Sequence, residues 1–480
     1  MIRALIPLHR WLGVVFCLFF AMWFASGIVM HFVPFPALTE AKRFAGLARV
    51  DLASVNHGPV EALRLSGIKD AAVVRLIQRS DGPVYLVPGP THTAAFHASD
   101  LSDAAVQSAA LALAIATNYP VNRRRDAAVG VAALTFYDQW TVASSFNRYR
   151  PLYRVAVDDP LGTELYVSTT TGEVVLHTAR WERAWNYVGS VAHWIYPTAL
   201  RSHPAVWAGL LWWLSFLALI GAAAGAVVGT ARVSVGGLRL VSPYRGWQAL
   251  HHWLGLCCML SLLSWIFSGW LSMDNGRLFS SGKPADAETT SIGGAADWSA
   301  LAPDEIQHLS ESVREVEWFA FGGRLYRRER IGFDSQRLFL AESNNYAADR
   351  EFLGPDEIDA ATRYLARACE ASFPVQPDDA YAVVATMPGA PVFRVRCGAD
   401  WFDIDGASGV VLEKLDTSRR VYRWLFAGLH TLDFPTLTAR PALRATLVAA
   451  LCLCGLLFSF TAVVIAWRRL LSYFQEREPR

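Results

Sequence analysis

The stretch Leu8-His9-Arg10-Trp11-Leu12-Gly13 returns almost unchanged as Leu250-His251-His252-Trp253-Leu254-Gly255. Each copy opens an apolar run. The same ungapped offset pairs Leu18 with Leu260, Trp23 with Trp265, and Ser26-Gly27 with Ser268-Gly269. A second constant offset joins the far ends of the two halves: Gly172 with Gly409, Val174 with Val411, Arg183 with Arg420, His193 with His430, and Pro204 with Pro441. Generic hydrophobicity would not align His, Trp, Gly and Pro together, so the chain reads as one unit used twice.

A bilayer core of roughly 30 Å needs about 20 mostly apolar residues in helix. Four stretches qualify: 8–33, 205–228, 250–273 and 443–467. Pro34 and Pro36 close the first, while Pro204 and Pro441 stand where the second and fourth begin, a position that tolerates proline. Arg3 and Arg10 resemble the start of a signal peptide, but the apolar run is too long and no small-x-small site follows it. It reads as a retained helix. Arginines flank the short connections: Arg3 and Arg10 at the start, Arg232, Arg239 and Arg245 in the 229–249 loop, and Arg468, Arg469, Arg477 and Arg480 in the 468–480 tail. The positive-inside rule puts these in the cytoplasm and leaves the long segments 34–203 and 274–440 outside. The expected fold class is therefore a membrane protein of four transmembrane helices with two extracytoplasmic α+β domains, a parallel tandem repeat about an axis along the membrane normal.

Composition agrees. Hydrophobic residues make up 53% of the 480 and charged residues 18%, against roughly 25% charged in soluble domains. That argues against a wholly soluble enzyme. A net charge of +2 gives no electrostatic reason to expect a nucleic-acid partner.

In the first long segment, 71–86 reads as a hairpin around Ser80-Asp81-Gly82, 104–118 as a helix, and 152–157, 164–168 and 172–176 as strands. The second repeats this with a strand at 337–340, a helix near 355–371, and strands at 392–396 and 401–404. Five of the seven cysteines (Cys17, Cys257, Cys258, Cys452, Cys454) fall within spans and read as packing residues. Cys369 and Cys397 lie in the second outer segment, where an oxidising compartment favours a disulfide between them.

The histidines are the candidate functional residues. His9 and His251/His252 sit at one end of spans one and three, His31 at the other end of span one, and His193 and His430 about ten residues before spans two and four. Taken singly, each reads as an interfacial residue. Two pairs duplicated in register, His9 with His251 and His193 with His430, read instead as axial ligands to haem iron, one pair in each leaflet. A two-fold repeat supplies one ligand from each half. Successive helical residues point about 100° apart, so only one of His251 and His252 faces the iron. His31 aligns with Met273 and lacks a symmetric partner, which leaves it a substitute ligand. Arg183 and Arg420 are candidate partners for haem propionates. His57, His92, His97, His177 and His308 show no metal-ligand spacing, and the chain has no GxGxxG, Walker A, HExxH or GxSxG motif.

The twin His-x-Trp-Leu-Gly…Ser-Gly helices, the strand-turn-Gly-strand before His193 and His430, and the four-span layout resemble the PepSY-associated transmembrane proteins. That family includes inner-membrane ferric-siderophore reductases and iron-regulated membrane proteins. The resemblance covers nearly the whole chain. It implies two b-type haems held by His9, His251, His193 and His430, periplasmic PepSY-like domains, and electron transfer outward to a ferric siderophore. With so little of the chain on the cytoplasmic side, the expected donor is a quinol or a separate cytoplasmic reductase. The outer segments are larger than in the small reductases, and the Cys369/Cys397 pair is a further departure. A haem-free siderophore or metal permease, or a membrane-tethered binding or inhibitory module, are the alternatives. Against the permease stand the few charged residues within the spans and the lack of broken-helix signals there; the tethered module gives no reason for duplicated intramembrane His.

Overall fold

The computed structural model describes residues 2–68, 71–89, 92–119, 129–236, 239–273, 286–294, 296–301, 304–341, 350–365 and 368–475. Two compact units emerge. One gathers Met1–Phe35, Trp181–Ser281 and Ser418–Arg480; the other gathers Pro36–Arg180 and Gly282–Thr417.

The first unit is built on four long apolar helices: α1 (Ile2–Phe32), α2 (Pro204–Ala231), α3 (Gly246–Ser272) and α4 (Pro441–Gln475). Proline occupies the first residue of α2 and of α4, where its missing N–H costs nothing. Of the most apolar window in each helix, only 22–33% is buried within the protein. The remaining apolar surface needs lipid, so this is a membrane protein. Helices α1 and α4 run several residues beyond the spans read from hydropathy, because backbone hydrogen bonding continues where side chains turn polar. Each helix packs on two neighbours in a ring, α1 on α2 and α4, α3 on α2 and α4. Glycine permits the closest approaches. A Cβ on Gly455 would lie 2.4 Å from Phe24 Cε1.

The second unit is α+β. Its first part supplies strands β1 (Val73–Arg79), β2 (Gly82–Pro88), β3 (Thr93–His97), β4 (Val129–Thr135), β5 (Leu152–Val157), β6 (Glu164–Ser168) and β7 (Val174–Thr178). A small hairpin between α2 and α3, β8 (Ser234–Gly236) and β9 (Arg239–Val241), belongs to the membrane unit. Then follow β10 (Glu315–Phe321), β11 (Arg324–Gly332), β12 (Ser335–Leu340), β13 (Phe373–Pro374), β14 (Val392–Cys397), β15 (Asp400–Asp405) and β16 (Val411–Leu415). Two antiparallel four-stranded sheets, β4-β5-β6-β7 and β13-β14-β15-β16, accompany one six-stranded sheet of order β12-β11-β10-β1-β2-β3.

That six-stranded sheet corrects the expectation of one separate domain per long segment. Each half contributes three strands, and β1 pairs antiparallel with β10 at the centre. Alone, either half would end in an unpaired edge; together each edge closes the other. Val74, Leu76, Tyr85, Val87, Val316, Trp318 and Leu325 form one continuous core across the seam. Two local expectations also shift. The helix read over 104–118 spans only Ala109–Thr117, because the Ser108 hydroxyl caps it by accepting from Leu111 N at 3.2 Å. The helix read near 355–371 spans Pro355–Thr362 and ends in a 3₁₀ turn, Arg363–Leu365; residues 366 and 367 lie outside the described residues. Cys369 and Cys397 are joined by a disulfide.

At the seam Arg75 of β1 stands directly opposite Glu317 of β10. These are equivalent positions under the offset that carries Leu8 onto Leu250. Around them lies a buried ionic cluster centred on Glu315, which is fully inaccessible. Its carboxylate accepts from Arg43 at 2.7 and 3.0 Å, from Arg75 at 2.5 Å and from Arg330 at 3.3 Å. Glu40, Glu173 and Glu317 balance the remaining guanidinium charge. Burial alone would raise the Glu315 carboxyl, but the three arginines hold it well below the usual carboxylate range.

Glu315→Gln leaves three arginines short of a buried counter-charge, and we expect it to destabilise this unit by about 3–5 kcal/mol, read as a lowered unfolding midpoint of the detergent-solubilised protein. The folded-state value is depressed, so the Glu315 contribution is complete above pH about 4.3 and erodes as pH falls below it. The variant's unfolding midpoint should depend less steeply on pH in that acid range.

Candidate functional site

Helices α1 and α3 stand across the diagonal of the ring, yet His9 and His251 reach each other. Their ring centroids are 6.4 Å apart with planes at 33°. His9 Nδ1 lies 3.0 Å from the carbonyl oxygen of Gly221 on α2. A carbonyl only accepts, so Nδ1 carries the proton and Nε2 carries the lone pair. A Cβ on Gly225 would sit 2.4 Å from His9 Cε1, so the glycine makes room for the ring against α2. His251 Nδ1 lies 2.9 Å from Thr461 Oγ1 of α4, and that hydroxyl donates its hydrogen to Phe458 O at 2.6 Å. It must therefore accept from His251 Nδ1, which in the neutral ring again leaves the lone pair on Nε2. Phe458 stacks on the His251 ring at 4.5 Å.

The neighbouring His252 is used up. It is buried, with Nε2 2.9 Å from Gly229 O and Nδ1 2.8 Å from Ser242 Oγ. Both ring nitrogens are bonded within the protein, so of the two adjacent histidines His251 is the one with a nitrogen to offer.

The other pair comes from outside the long helices. His193 follows helix Arg180–Asn186 and a π-helical turn, Tyr187–Val191; His430 follows helix Thr417–Arg423 and a π-helical turn, Trp424–Gly428. Such turns are rare and cluster at functional sites. Two residues beyond each His the chain turns through the left-handed region, at Ile195 (φ 46°) and Leu432 (φ 52°). For a β-branched residue that conformation costs on the order of 1–3 kcal/mol, and it recurs at both matched positions. The ring centroids of His193 and His430 are 6.2 Å apart, with planes at 76°. His193 Nδ1 lies 3.0 Å from Ser26 Oγ of α1, and His430 Nδ1 lies 3.0 Å from Ser268 Oγ of α3. Ser26 donates to Met22 O at 2.6 Å and Ser268 to Trp265 O at 3.1 Å. Each hydroxyl thus accepts from its histidine, and Nε2 is again the free lone pair. Gly27 and Gly269 keep open the space beside the two rings: a Cβ on either would fall 3.7 Å from His193 Cε1 or 3.4 Å from His430 Cε1, respectively.

All four imidazoles have Nδ1 anchored on an acceptor, which in the neutral ring leaves Nε2 as the lone pair, the arrangement that orients a metal-binding histidine. Two imidazoles on opposite sides of one metal, at bonds of about 2 Å, place ring centroids roughly 6 Å apart. Both pairs meet this spacing. Among the described residues no group of three or more His, Cys, Asp or Glu could hold a bare ion. Two axial nitrogens suit a metal whose remaining ligands come from a macrocycle. At the His9/His251 pair there is also room. A cavity of about 750 Å³, within the range of cofactor sites, is lined by apolar residues such as Leu12, Phe16, Ala222 and Leu262, and a Cβ on Gly13 would meet open space. The residues present fit haem.

Along α1, His9 and Ser26 are separated by about 25 Å of helix rise, so the two pairs occupy opposite ends of the bundle. His31, in the last turn of α1, packs edge-on against Phe32 at 5.0 Å and is outside both pairs. Arg183 and Arg420 lie on the two short helices that lead into the π-helical turns. His57, His97 and His308 pair with Glu61, Asp81 and Asp304 in the α+β unit. The sequence reading gave Ser26 and Ser268 no role, although both stood in the repeated Ser-Gly step. Thr461, Gly221 and Gly225 had no sequence signal at all.

No curated protein matches the chain. The sequence profile described as the PepSY-associated TM region matches residues 6–469. With nearly its whole length covered, from before His9 to beyond Thr461, the chain belongs to the PepSY-associated TM region family.

Proposed function

We propose that this protein is a di-haem electron carrier of the bacterial inner membrane that reduces ferric siderophore in the periplasm. The observation that carries the reading is the two closely apposed imidazole couples, with ring centroids 6.4 and 6.2 Å apart and every Nδ1 anchored on an acceptor within the protein. His9 and His251 would hold one haem b, His193 and His430 the other. Haem held by these residues would supply one-electron transfer.

The chain's own residues supply position and insulation. Gly221 O, Thr461, Ser26 and Ser268 fix the imidazole tautomers, and the apolar helices exclude water from around them. The arginine-rich flanks support a topology with both termini and the 229–249 loop in the cytoplasm, and both long segments in the periplasm, where they build one PepSY-like α+β unit together. A tandem duplication is supported by element bounds. The offset that carries Leu8 onto Leu250 carries β1 onto β10 at both ends, and the one that carries His193 onto His430 carries Tyr187–Val191 onto Trp424–Gly428. A quinol or a cytoplasmic reductase would supply electrons, and reduction would release iron as the weakly held ferrous ion.

Purified protein should show a reduced-minus-oxidised b-type spectrum and about two haems per chain by pyridine haemochrome. His9→Ala and His430→Ala should each lose a different haem, and His251→Ala should match His9→Ala. His252→Ala should keep both. A preparation that stays colourless after haem supplementation would refute the reading. Ser26→Ala or Ser268→Ala should weaken haem retention at that end by about 10–100-fold, measured by transfer to apomyoglobin. In proteoliposomes with reductant inside and ferric siderophore outside, ferrous iron should appear outside with the intact protein and not with His9→Ala. Equal rates from the two would separate the haem from siderophore reduction.

A further inference from the structure

The cavity beside His9 and His251 has an electrostatic character that iron ligation does not use. Its walls are apolar, but its mouth carries Arg10 of α1, Arg245 at the start of α3, and Arg468 and Arg469 of α4. Among the described residues no Asp or Glu lines it. None of the four arginines has a carboxylate partner among the described residues, whereas the buried arginines of the other unit are matched by glutamates. Arg469 lies over the Trp11 ring, 5.6 Å from its centroid, which holds one cation in place. Four like charges around one opening repel one another unless an anion sits among them. An apolar slot with two metal-seeking nitrogens inside and cations at its rim calls for a ligand that is flat, apolar and carboxylated along one edge.

We propose that Arg10, Arg245, Arg468 and Arg469 form a carboxylate clamp at the mouth of the His9/His251 cavity, binding the propionates of the haem held there and fixing which edge of it faces outward. This rests on the haem reading above and assigns a role that sequence reasoning gave instead to Arg183 and Arg420. Guanidinium forks bind carboxylates through paired charge-assisted hydrogen bonds. Arg3 and Arg232 lie on the same arginine-rich flanks but do not line the cavity. They separate a clamp from a general preference for an anionic membrane surface, since phospholipid phosphate is the other anion such a rim attracts.

The test uses the full-length protein from haem-deficient cells, titrated in neutral detergent with protohaem and with its dimethyl ester. It is run on the wild type and on His430→Ala, which keeps the His9/His251 pair. The ester should bind that pair at least about tenfold more weakly than the free acid. Arg468→Gln with Arg469→Gln should abolish the difference, and Arg3→Gln with Arg232→Gln should leave it. Equal affinities for acid and ester in the wild type would overturn the clamp without any variant needing to fold. So would equal loss in the control pair, or disappearance of the difference when phosphatidylglycerol is added, which would make the rim a lipid site. Failure of every form to bind haem would instead refute the haem reading itself.

Discussion

Everything at the candidate site depends on where four imidazole protons go. Each histidine gives its Nδ1 hydrogen to an acceptor that cannot return one: a helix carbonyl for His9, and for the others a hydroxyl whose own hydrogen is already committed to a helix carbonyl. In an apolar bundle an unanchored imidazole would rotate, and a charged one would be costly. Anchoring one nitrogen fixes the orientation of the ring and, in its neutral form, leaves a single lone pair to spend. His252 shows the converse: with both nitrogens bonded inside the protein, it serves packing.

The two units solve different versions of the charge problem. In the α+β unit, arginine and glutamate meet in matched numbers at a buried seam, so the charges hold the halves in register. In the membrane unit the arginines gather at the cavity mouth without local carboxylates among the described residues. That contrast is what singles out the rim as a place for a bound anion. A cation-rich surface alone would read as orientation in the membrane.

The shared six-stranded sheet bears on how the two long segments stay one folded unit. A three-stranded sheet with an open edge invites pairing with another copy. Antiparallel pairing of β1 with β10 uses both edges internally, and the Arg75/Glu317 apposition favours this register over a one-residue slip, which would set Arg75 opposite Val316 or Trp318.

By itself the sequence determined the parts. Apolar runs of sufficient length defined four membrane helices, prolines marked where two of them start, and the paired Leu-His-x-Trp-Leu-Gly and His…Pro matches named the four histidines. The hairpin around Ser80-Asp81-Gly82 and the strand after Gly172 were legible from turn chemistry and alternation, with bounds about two residues early: the strands run Val73–Arg79, Gly82–Pro88 and Val174–Thr178. Periodicity reports which face of an element is buried and says nothing about its partner. The joining of the two long segments in one sheet was therefore decided only in three dimensions. The choice of His251 over His252 was likewise tertiary, because it turns on which nitrogens find acceptors on α2, α4 and the Ser242 loop. Ser26, Thr461 and Gly225 matter through contacts across the bundle, more than a hundred residues away in the chain, where local sequence carries no signal.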